Sequence, residues 1–201
     1  RQRKQKDMAQ RLKITTPCGI AVWPRLNEPD REFDANGLYH TKLRVSGKDA
    51  EEFMQKITAY RDENYAASCQ QKGKKKLNQN DLPWKEDEEN PGDIIISTKL
   101  KAKVVTRSGD SFEQRPDLVD AKLKPTNVKI GGGSKLKLAL EVNPYCTPAG
   151  DTGVTLWIKA VQILELVEYG GGGSHGFTAA EGFESAGGNE DLIPATEGGN
   201  F

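Results

Sequence analysis

Alternation of apolar and polar residues predicts β-strands along most of the first 169 residues. Over residues 38–45 the two kinds of side chain alternate strictly, which is the period-two pattern of a strand with one buried face. The side predicted to face the core holds Tyr39, Thr41, Leu43 and Val45. The side predicted to face solvent is basic and holds His40, Lys42 and Arg44.

Further strand-like sequences occur at residues 12–23, 94–107, 134–144 and 154–166. The strand at 94–107 is predicted to turn lysines outward, namely Lys99, Lys101 and Lys103. The strand at 134–144 is predicted to bury Leu136, Leu138, Leu140 and Val142 and to expose Lys135 and Lys137. The strand at 154–166 is predicted to bury Leu156, Ile158, Ala160, Leu164 and Leu166 and to expose Trp157 and Lys159.

Residues 48–71 are predicted to form one helix, because Phe53, Ile57 and Tyr60 recur at helical spacing and the segment lacks glycine and proline. Residues 24–37 and 72–93 are predicted to be loops, and Pro83 and Trp84 are expected to anchor the second loop on the core. One helix among five or more strands predicts a mainly β domain. A small antiparallel barrel or sandwich with Greek-key connections fits this order of elements best.

Charge is distributed unevenly along the chain. The 201 residues hold 29 basic and 29 acidic side chains, so the formal net charge is zero. Residues 170–201 contain five of the acids, no Lys or Arg, and 10 of the 21 glycines, a composition that predicts a flexible tail. The preceding residues therefore carry a net charge of +5, which favours a nucleic-acid partner. The predicted organisation is a basic arm at 1–11, a folded domain at 12–169 and the acidic tail at 170–201.

The composition disfavours several classes of protein. No apolar run approaches the 18 residues of a membrane-spanning helix, and the basic N-terminal residues lack the apolar segment of a signal peptide. The three cysteines are widely spaced, which favours a reducing compartment without disulfides. His40 and His175 are the only histidines, so neither a metal site, nor a catalytic base, nor a cofactor is expected.

A run of three glycines, Gly131 to Gly133, precedes Ser134 and Lys135. A phosphate-binding P-loop needs GxxxxGK[ST] between a strand and a helix, whereas an alternating strand follows this run. The glycines are therefore expected to permit a tight bend or a close approach to a ligand.

Basic residues recur on the predicted outer faces of four strands, where hardly any acid accompanies them. Cations on a strand face can follow the backbone of a single-stranded nucleic acid, and exposed rings can stack on its bases. A place in the core or at its rim is the simpler role for each of the aromatic residues Trp23, Phe33, Tyr145 and Trp157, and Tyr145 and Trp157 are the better candidates for stacking. The basic candidates are Lys42, Arg44, Lys99, Lys101, Lys103, Lys135, Lys137 and Lys159.

Two other functions remain open from these residues. The lysines would be merely solvated in a protein-interaction module, which would not bind nucleic acid. The acids Glu86, Asp87 and Glu88 would be the metal ligands of a nuclease, although a solvated loop explains them more simply.

Several segments resemble the single-stranded DNA-binding proteins of short-tailed, T7-type bacteriophages. The most specific are IGGGSKLKLALEVNPY at 130–145 and GVTLWIKAVQILELVEYGGG at 153–172. Shorter segments agree in the same order, FDANGLY at 33–39, DENYAAS at 62–68 and DLPW at 81–84. The likeness covers most of residues 12–172.

The resemblance implies an OB-fold, a five-stranded Greek-key barrel with one inserted α-helix and long loops, and no enzymatic activity. It implies a homodimer that binds single-stranded DNA without sequence preference and anneals strands. Its expected roles are phage DNA replication, recombination and repair in the cytoplasm of the bacterial host cell.

The resemblance also implies partners for the tail. The tail is expected to contact the phage DNA polymerase and helicase-primase, and to compete with DNA for the binding cleft. Lys135, Lys137, Tyr145 and the terminal Phe201 match positions of the family's cleft and tail. The tail acids assigned to partner binding are Glu190, Asp191 and Glu197.

Overall fold

The computed structural model describes residues 11–168, apart from Phe33 and Arg107. The predicted arm before residue 11 and the tail at 170–201, with His175, lie outside the described residues, as do the tail's partner-binding candidates Glu190, Asp191, Glu197 and Phe201. In the described part, no helix has the length and hydropathy needed to cross a membrane. The elements of this part are β1 (Leu12–Thr15), β2 (Gly19–Asp30), β3 (Leu38–Val45), α1 (Lys48–Lys72), β4 (Asn78–Gln79), β5 (Trp84–Glu86), β6 (Ile94–Lys101), β7 (Lys103–Val105), β8 (Ser111–Glu113), β9 (Asp117–Val119), β10 (Lys135–Cys146) and β11 (Asp151–Glu165).

Nine of these strands form one sheet, whose main path is β1-β10-β2-β3-β6-β11-β4. Strand β5 adds to β6, β9 adds to β11, and β10 also pairs with β11. The pairings from β2 through β3, β6, β11 and β10 therefore return to β2. Pairs are antiparallel except those of β11 with β4, β6 and β9. Strands β7 and β8 form a separate two-stranded sheet.

The core lies inside this circuit of strands and includes residues of helix α1. The alternation predicted for β3 is confirmed, since Tyr39, Thr41, Leu43 and Val45 are all buried. The alternation predicted for β10 is confirmed as well, with Leu136, Leu138, Leu140 and Val142 almost fully buried. The outward faces of both strands are thereby left to polar and charged side chains.

Helix α1 confirms the predicted helix and ends one residue later than expected. Phe53 and Ile57 are buried in the core, and Tyr60 packs partly against it. Gly73 ends the helix in the left-handed conformation, with φ 62, and its N–H and that of Lys74 donate hydrogen bonds to the last carbonyls of the helix. The ammonium of Lys72 donates hydrogen bonds to the carbonyls of Thr147 (2.6 Å) and Pro148 (3.0 Å), which ties the helix end to the β10–β11 loop.

The prediction for the second half of β11 was wrong. Val161 and Ile163 are buried there, whereas Ala160 and Leu164 are half-buried and Leu166 is exposed. Ala139 of β10 pairs with Ala160, but Leu140 pairs with Ile158, so Lys159 is an extra residue in β11. Such a β-bulge shifts the alternation by one residue from that point onward.

The predicted loop at 24–37 was also wrong in its first half, because β2 continues to Asp30. Val22 pairs with Lys42 and Arg25 with His40, so three steps along β2 match two along β3. Pro24 sits at this bulge, where the missing N–H of proline interrupts no regular ladder.

The predicted strand at 94–107 is broken at Ala102, and its last part belongs to β7. The predicted loop at 72–93 contains the short strands β4 and β5. Trp84 begins β5 and packs against the core, which confirms that this part of the loop is anchored.

The first glycine of the run, Gly131, packs closely against the segment that follows β11. The Gly131 N–H donates to the Val167 carbonyl (2.7 Å), and the hydroxyl of the fully buried Ser134 lies 2.8 Å from the Gly131 carbonyl. A Cβ on Gly131 would lie 2.7 Å from the Val167 carbonyl oxygen, whereas a Cβ on Gly132 would meet nothing closer than 4.0 Å. Only the first of these two neighbours therefore requires glycine for space.

Replacing Gly131 with alanine is expected to destabilise the fold, because the backbone of Val167 and Glu168, just after β11, must move away. The expected loss in free energy of unfolding is about 1–3 kcal/mol, as for other overpacked sites. Urea unfolding of Gly131→Ala beside Gly132→Ala measures it. A loss of equal size in Gly132→Ala would contradict the assignment.

Candidate nucleic-acid interface

The outer faces of β3 and β6 carry adjoining rows of cations. On β3 the outward residues are His40, Lys42 and Arg44, and on β6 they include Lys99 and Lys101. His40 pairs directly with Lys99 across the two antiparallel strands, so these side chains leave the same face of the sheet. We call the outward surface of β3, β6 and the adjoining half of β11 the central face.

One row of outward residues extends over five strands and passes through the central face. Arg25 of β2 pairs with His40, His40 with Lys99, and Lys99 with Trp157 of β11. Glu141 of β10 pairs with Trp157 and closes the row on the other side. The structure thus brings Lys99 and Trp157 together, although 58 positions separate them in the sequence.

Acidic side chains pair with some of these cations. The Arg44 guanidinium lies 3.7 Å from Asp87, and Lys101 lies 3.9 Å from Asp34. Lys42 and Lys99 are exposed and form no ion pair with any residue that the structure describes. They are therefore the cations of the central face best placed to meet a polyanion.

Hydrogen bonds lower the pKa of two acids beside the central face. The side-chain amide of Asn90, the N–H of Glu89 and the nearby Arg44 hold the pKa of Asp87 below its ordinary value. The N–H of Glu32 and the imidazole of His40 lower the pKa of Asp30 in the same way. Asp87 belongs to the acidic loop predicted to be merely solvated, and it instead folds back onto Arg44.

Trp157 is half-buried and partly covered. The guanidinium of Arg11 lies 4.7 Å from the centre of the indole ring, a cation–π distance. Glu141 holds Arg11 at 2.8 Å and Lys159 at 3.8 Å. The cation that caps Trp157 is thus fixed by an acid of the same row.

The other predicted site residues lie away from this centre. Lys137 is four residues along β10 from Glu141, about 13 Å at strand spacing. Its neighbour Lys135 is paired with Glu165 at 2.5 Å, and this hydrogen bond raises the pKa of Lys135. Lys103 was predicted to continue the stripe of β6, but the break at Ala102 places it in the β7–β8 hairpin.

Tyr145 lies towards the opposite end of β10. Its hydroxyl accepts a hydrogen bond from the side-chain amide of Asn80 (2.9 Å). Its ring lies over Gly153, where a Cβ would come within 2.5 Å of the hydroxyl oxygen. The ring is therefore half-buried and held in place.

Sequence reasoning missed two residues of β2, the strand beside the central face. Trp23 was expected in the core or at its rim, yet it is 76% exposed. Arg25 was assigned to a loop, yet it begins the row that crosses the central face. Among the described residues no group of three or more His, Cys, Asp or Glu could hold a metal ion.

A mainly β fold with a basic and aromatic outer surface is typical of proteins that bind single-stranded nucleic acid. Comparison with known proteins gives the family. The sequence model described as "Single-stranded DNA-binding protein, Bacteriophage T7" matches residues 20–166. The chain belongs to this T7-type phage single-stranded DNA-binding protein family.

Individual relatives agree with this family. The single-stranded DNA-binding protein of enterobacteria phage T3 is 28% identical, over 90% of this chain and 89% of its own length. That of Escherichia phage T7 is 27% identical, over 80% of this chain and 76% of its own length.

Solved structures share the fold. The crystal structure of gp2.5, a single-stranded DNA-binding protein encoded by bacteriophage T7, matches with a TM-score of 0.68 and 24% identity, over 78% of this chain and 93% of that one. The single-stranded DNA-binding protein from bacteriophage Enc34, solved in complex with single-stranded DNA, matches with a TM-score of 0.53 and 17% identity, over 79% of this chain and 89% of that one.

Proposed function

We propose that this protein binds single-stranded DNA, without sequence preference, on the central face. The observation that carries the proposal is the row from Arg25 through His40 and Lys99 to Trp157, which joins cations and an aromatic ring on one continuous surface. Cations of this kind neutralise phosphates, and rings stack on bases of any identity, so that binding tolerates all sequences.

We propose further that the circuit of β2, β3, β6, β11 and β10 is a Greek-key barrel of the OB type. In that fold the second and third strands, with the loops after the first and fourth, bind oligonucleotides. The second and third strands here are β3 and β6, which carry Lys42 and Lys99. The corresponding loops are residues 31–37 and 147–150, so the proposed fold and the proposed site agree.

Each group of the surface has a distinct role in the proposed mechanism. Lys42 and Lys99 contact phosphates at the centre, and Arg44, Lys101 and Lys159 contribute once DNA displaces their acidic partners. Trp157 and Tyr145 stack on bases. Lys135, Lys137 and Lys103 extend the path of the strand beyond the central face, with Lys137 contributing more than the paired Lys135.

The proposed biological role is that of a non-enzymatic protein of phage DNA replication, recombination and repair, acting in the cytoplasm of the bacterial host. It protects and anneals single strands as a homodimer. The tail at residues 170–201, with Glu190, Asp191, Glu197 and Phe201, binds the phage DNA polymerase and helicase-primase.

A competition assay tests the proposed function. A labelled single-stranded oligonucleotide is bound to the protein and challenged with unlabelled single-stranded or double-stranded DNA of the same length, with Mg²⁺ present in a parallel sample. We expect single strands of any sequence to compete well, duplex to compete poorly, and the DNA to stay intact. Absence of binding would favour a protein-interaction module, and cleavage with Mg²⁺ would favour a nuclease.

Deleting residues 170–201 is expected to tighten binding to single-stranded DNA and to abolish the contact with the polymerase. The segment carries five acids and no Lys or Arg, so it competes with DNA for the same cations. A several-fold gain in affinity at low salt, fading at high salt, is the expected result of titrating both proteins. Weaker binding by the shortened protein would contradict competition by the tail.

A further inference from the structure

Trp23 has an unusual combination of exposure and backbone strain. At 76% exposure it is the most exposed large apolar side chain that the structure describes, and its φ is 52. Positive φ is strained for a bulky residue, and such strain recurs where a ligand is bound. Trp23 lies at the β2 bulge before Pro24, so the strain accompanies the outward placement of the ring.

The surroundings of Trp23 are charged and concave. It borders a groove of about 260 Å³ that is also lined by Lys42, Arg44 and Lys85, and by the acidic residues 87–89. Two of the cations are paired, Arg44 with Asp87 at 3.7 Å and Lys85 with Glu88 at 3.5 Å. Lys42 has no ion pair among the described residues. It pairs across the strands with Val22, the residue that precedes Trp23.

We propose that Trp23 and Lys42 form a second nucleotide subsite, in which the indole stacks on one base and the ammonium contacts a neighbouring phosphate. This inference rests on the proposed function, which it extends from β11 to β2. Three strand spacings, about 14 Å, separate these strands across the central face. Unlike Trp157, which lies under Arg11, Trp23 presents an uncovered ring.

The acids of the groove make this subsite different from the rest of the face. Three carboxylates balance the three cations, so few counterions are released when a base enters. Trp23 therefore contributes by stacking, and it raises the affinity by a factor that is nearly independent of the salt concentration. A lysine that neutralises a phosphate adds a factor that shrinks as salt rises.

Substitution of Trp23 tests the subsite in the full chain. Trp23→Ala is expected to lower the affinity for oligo-dT about tenfold, as for the loss of one stacked base, and by the same factor at low and high salt. Trp23→Phe is expected to restore most of the affinity, because it keeps a ring. Leu123→Ala is the matched control, since Leu123 is also exposed, at 68%, with a positive φ of 63, and it is expected to bind like the unchanged protein.

Fluorescence provides a second, independent measurement. With Trp84→Phe and Trp157→Phe combined, Trp23 is the only tryptophan of the chain. Its emission is expected to be quenched by oligo-dT in step with the anisotropy of a labelled strand.

The subsite is overturned, while the proposed function stands, if Trp23→Ala binds oligo-dT with unchanged affinity. The same holds if the anisotropy of the labelled strand rises without quenching of Trp23. A change of oligomeric state in Trp23→Ala at unchanged DNA affinity also overturns it and assigns the ring to a protein interface. Absence of DNA binding by the unchanged protein overturns both.

Discussion

Replacing Lys42 and Lys99 together with alanine is expected to reduce the affinity for single-stranded DNA by about 50-fold at about 0.05 M salt, and by about tenfold at about 0.2 M. Both side chains are exposed and lie on the strands β3 and β6 at the middle of the central face. Each phosphate contact contributes about −0.7 to the slope of log affinity against log salt. Removing two contacts therefore costs most at low salt.

A control separates local contacts from total charge. Lys56 on α1 and Lys122 in the turn after β9 are also exposed, and Lys56→Ala with Lys122→Ala removes the same charge. This control is expected to lower the affinity only slightly and to leave the salt slope unchanged. An equal loss in both double variants would mean that net charge, rather than the central face, attracts the DNA.

Replacing Leu43 with alanine is expected to lower the stability of the protein and to leave its DNA affinity unchanged. Replacing its neighbour Lys42 is expected to do the reverse. Leu43 is fully buried, and a Cβ on Gly19 would lie 2.7 Å from its Cγ, which shows how closely β2 and β3 pack there. Leu43→Ala is expected to lower the free energy of unfolding by about 2–5 kcal/mol. The fraction that stays folded is expected to bind DNA with unchanged affinity.

Lys42→Ala completes this comparison of adjacent residues. Its stability is expected to stay within about 0.5 kcal/mol of the unchanged protein, while its DNA affinity falls. Urea unfolding and oligonucleotide titration of both variants measure the two effects separately. Loss of stability in Lys42→Ala, or loss of affinity in fully folded Leu43→Ala, would contradict the assignment of faces.

The alternation in the sequence predicted the buried and exposed faces of a strand correctly where that strand is regular. Strands β3 and β10 alternate without interruption along the stretches that pack on the core, so counting by two placed Leu43 and Leu138 inside. The same counting failed in β11, because the bulge at Lys159 shifts the alternation and nothing in the local composition reveals it. In β2, Pro24 indicated a loop but occupies a bulge within a strand.

The site was harder to predict than the strands, because its contacts join distant segments. The basic stripes of β3 and β6 could be read from alternation. The cation–π contact of Arg11 with Trp157 depends on strand pairing. The ion pair between Asp87 and Arg44 depends on the path of a loop. The exposure of Trp23 depends on a positive φ that the sequence does not indicate for tryptophan.

Titration of tryptophan fluorescence with oligo-dT over a range of salt concentrations tests the central claim most directly. If the central face neutralises about four phosphates, log affinity falls linearly with log salt with a slope of about −3. Tryptophan emission is quenched at the same time, because bases stack on the indoles. An affinity that does not change with salt, or binding that leaves the emission unaltered, would contradict the account.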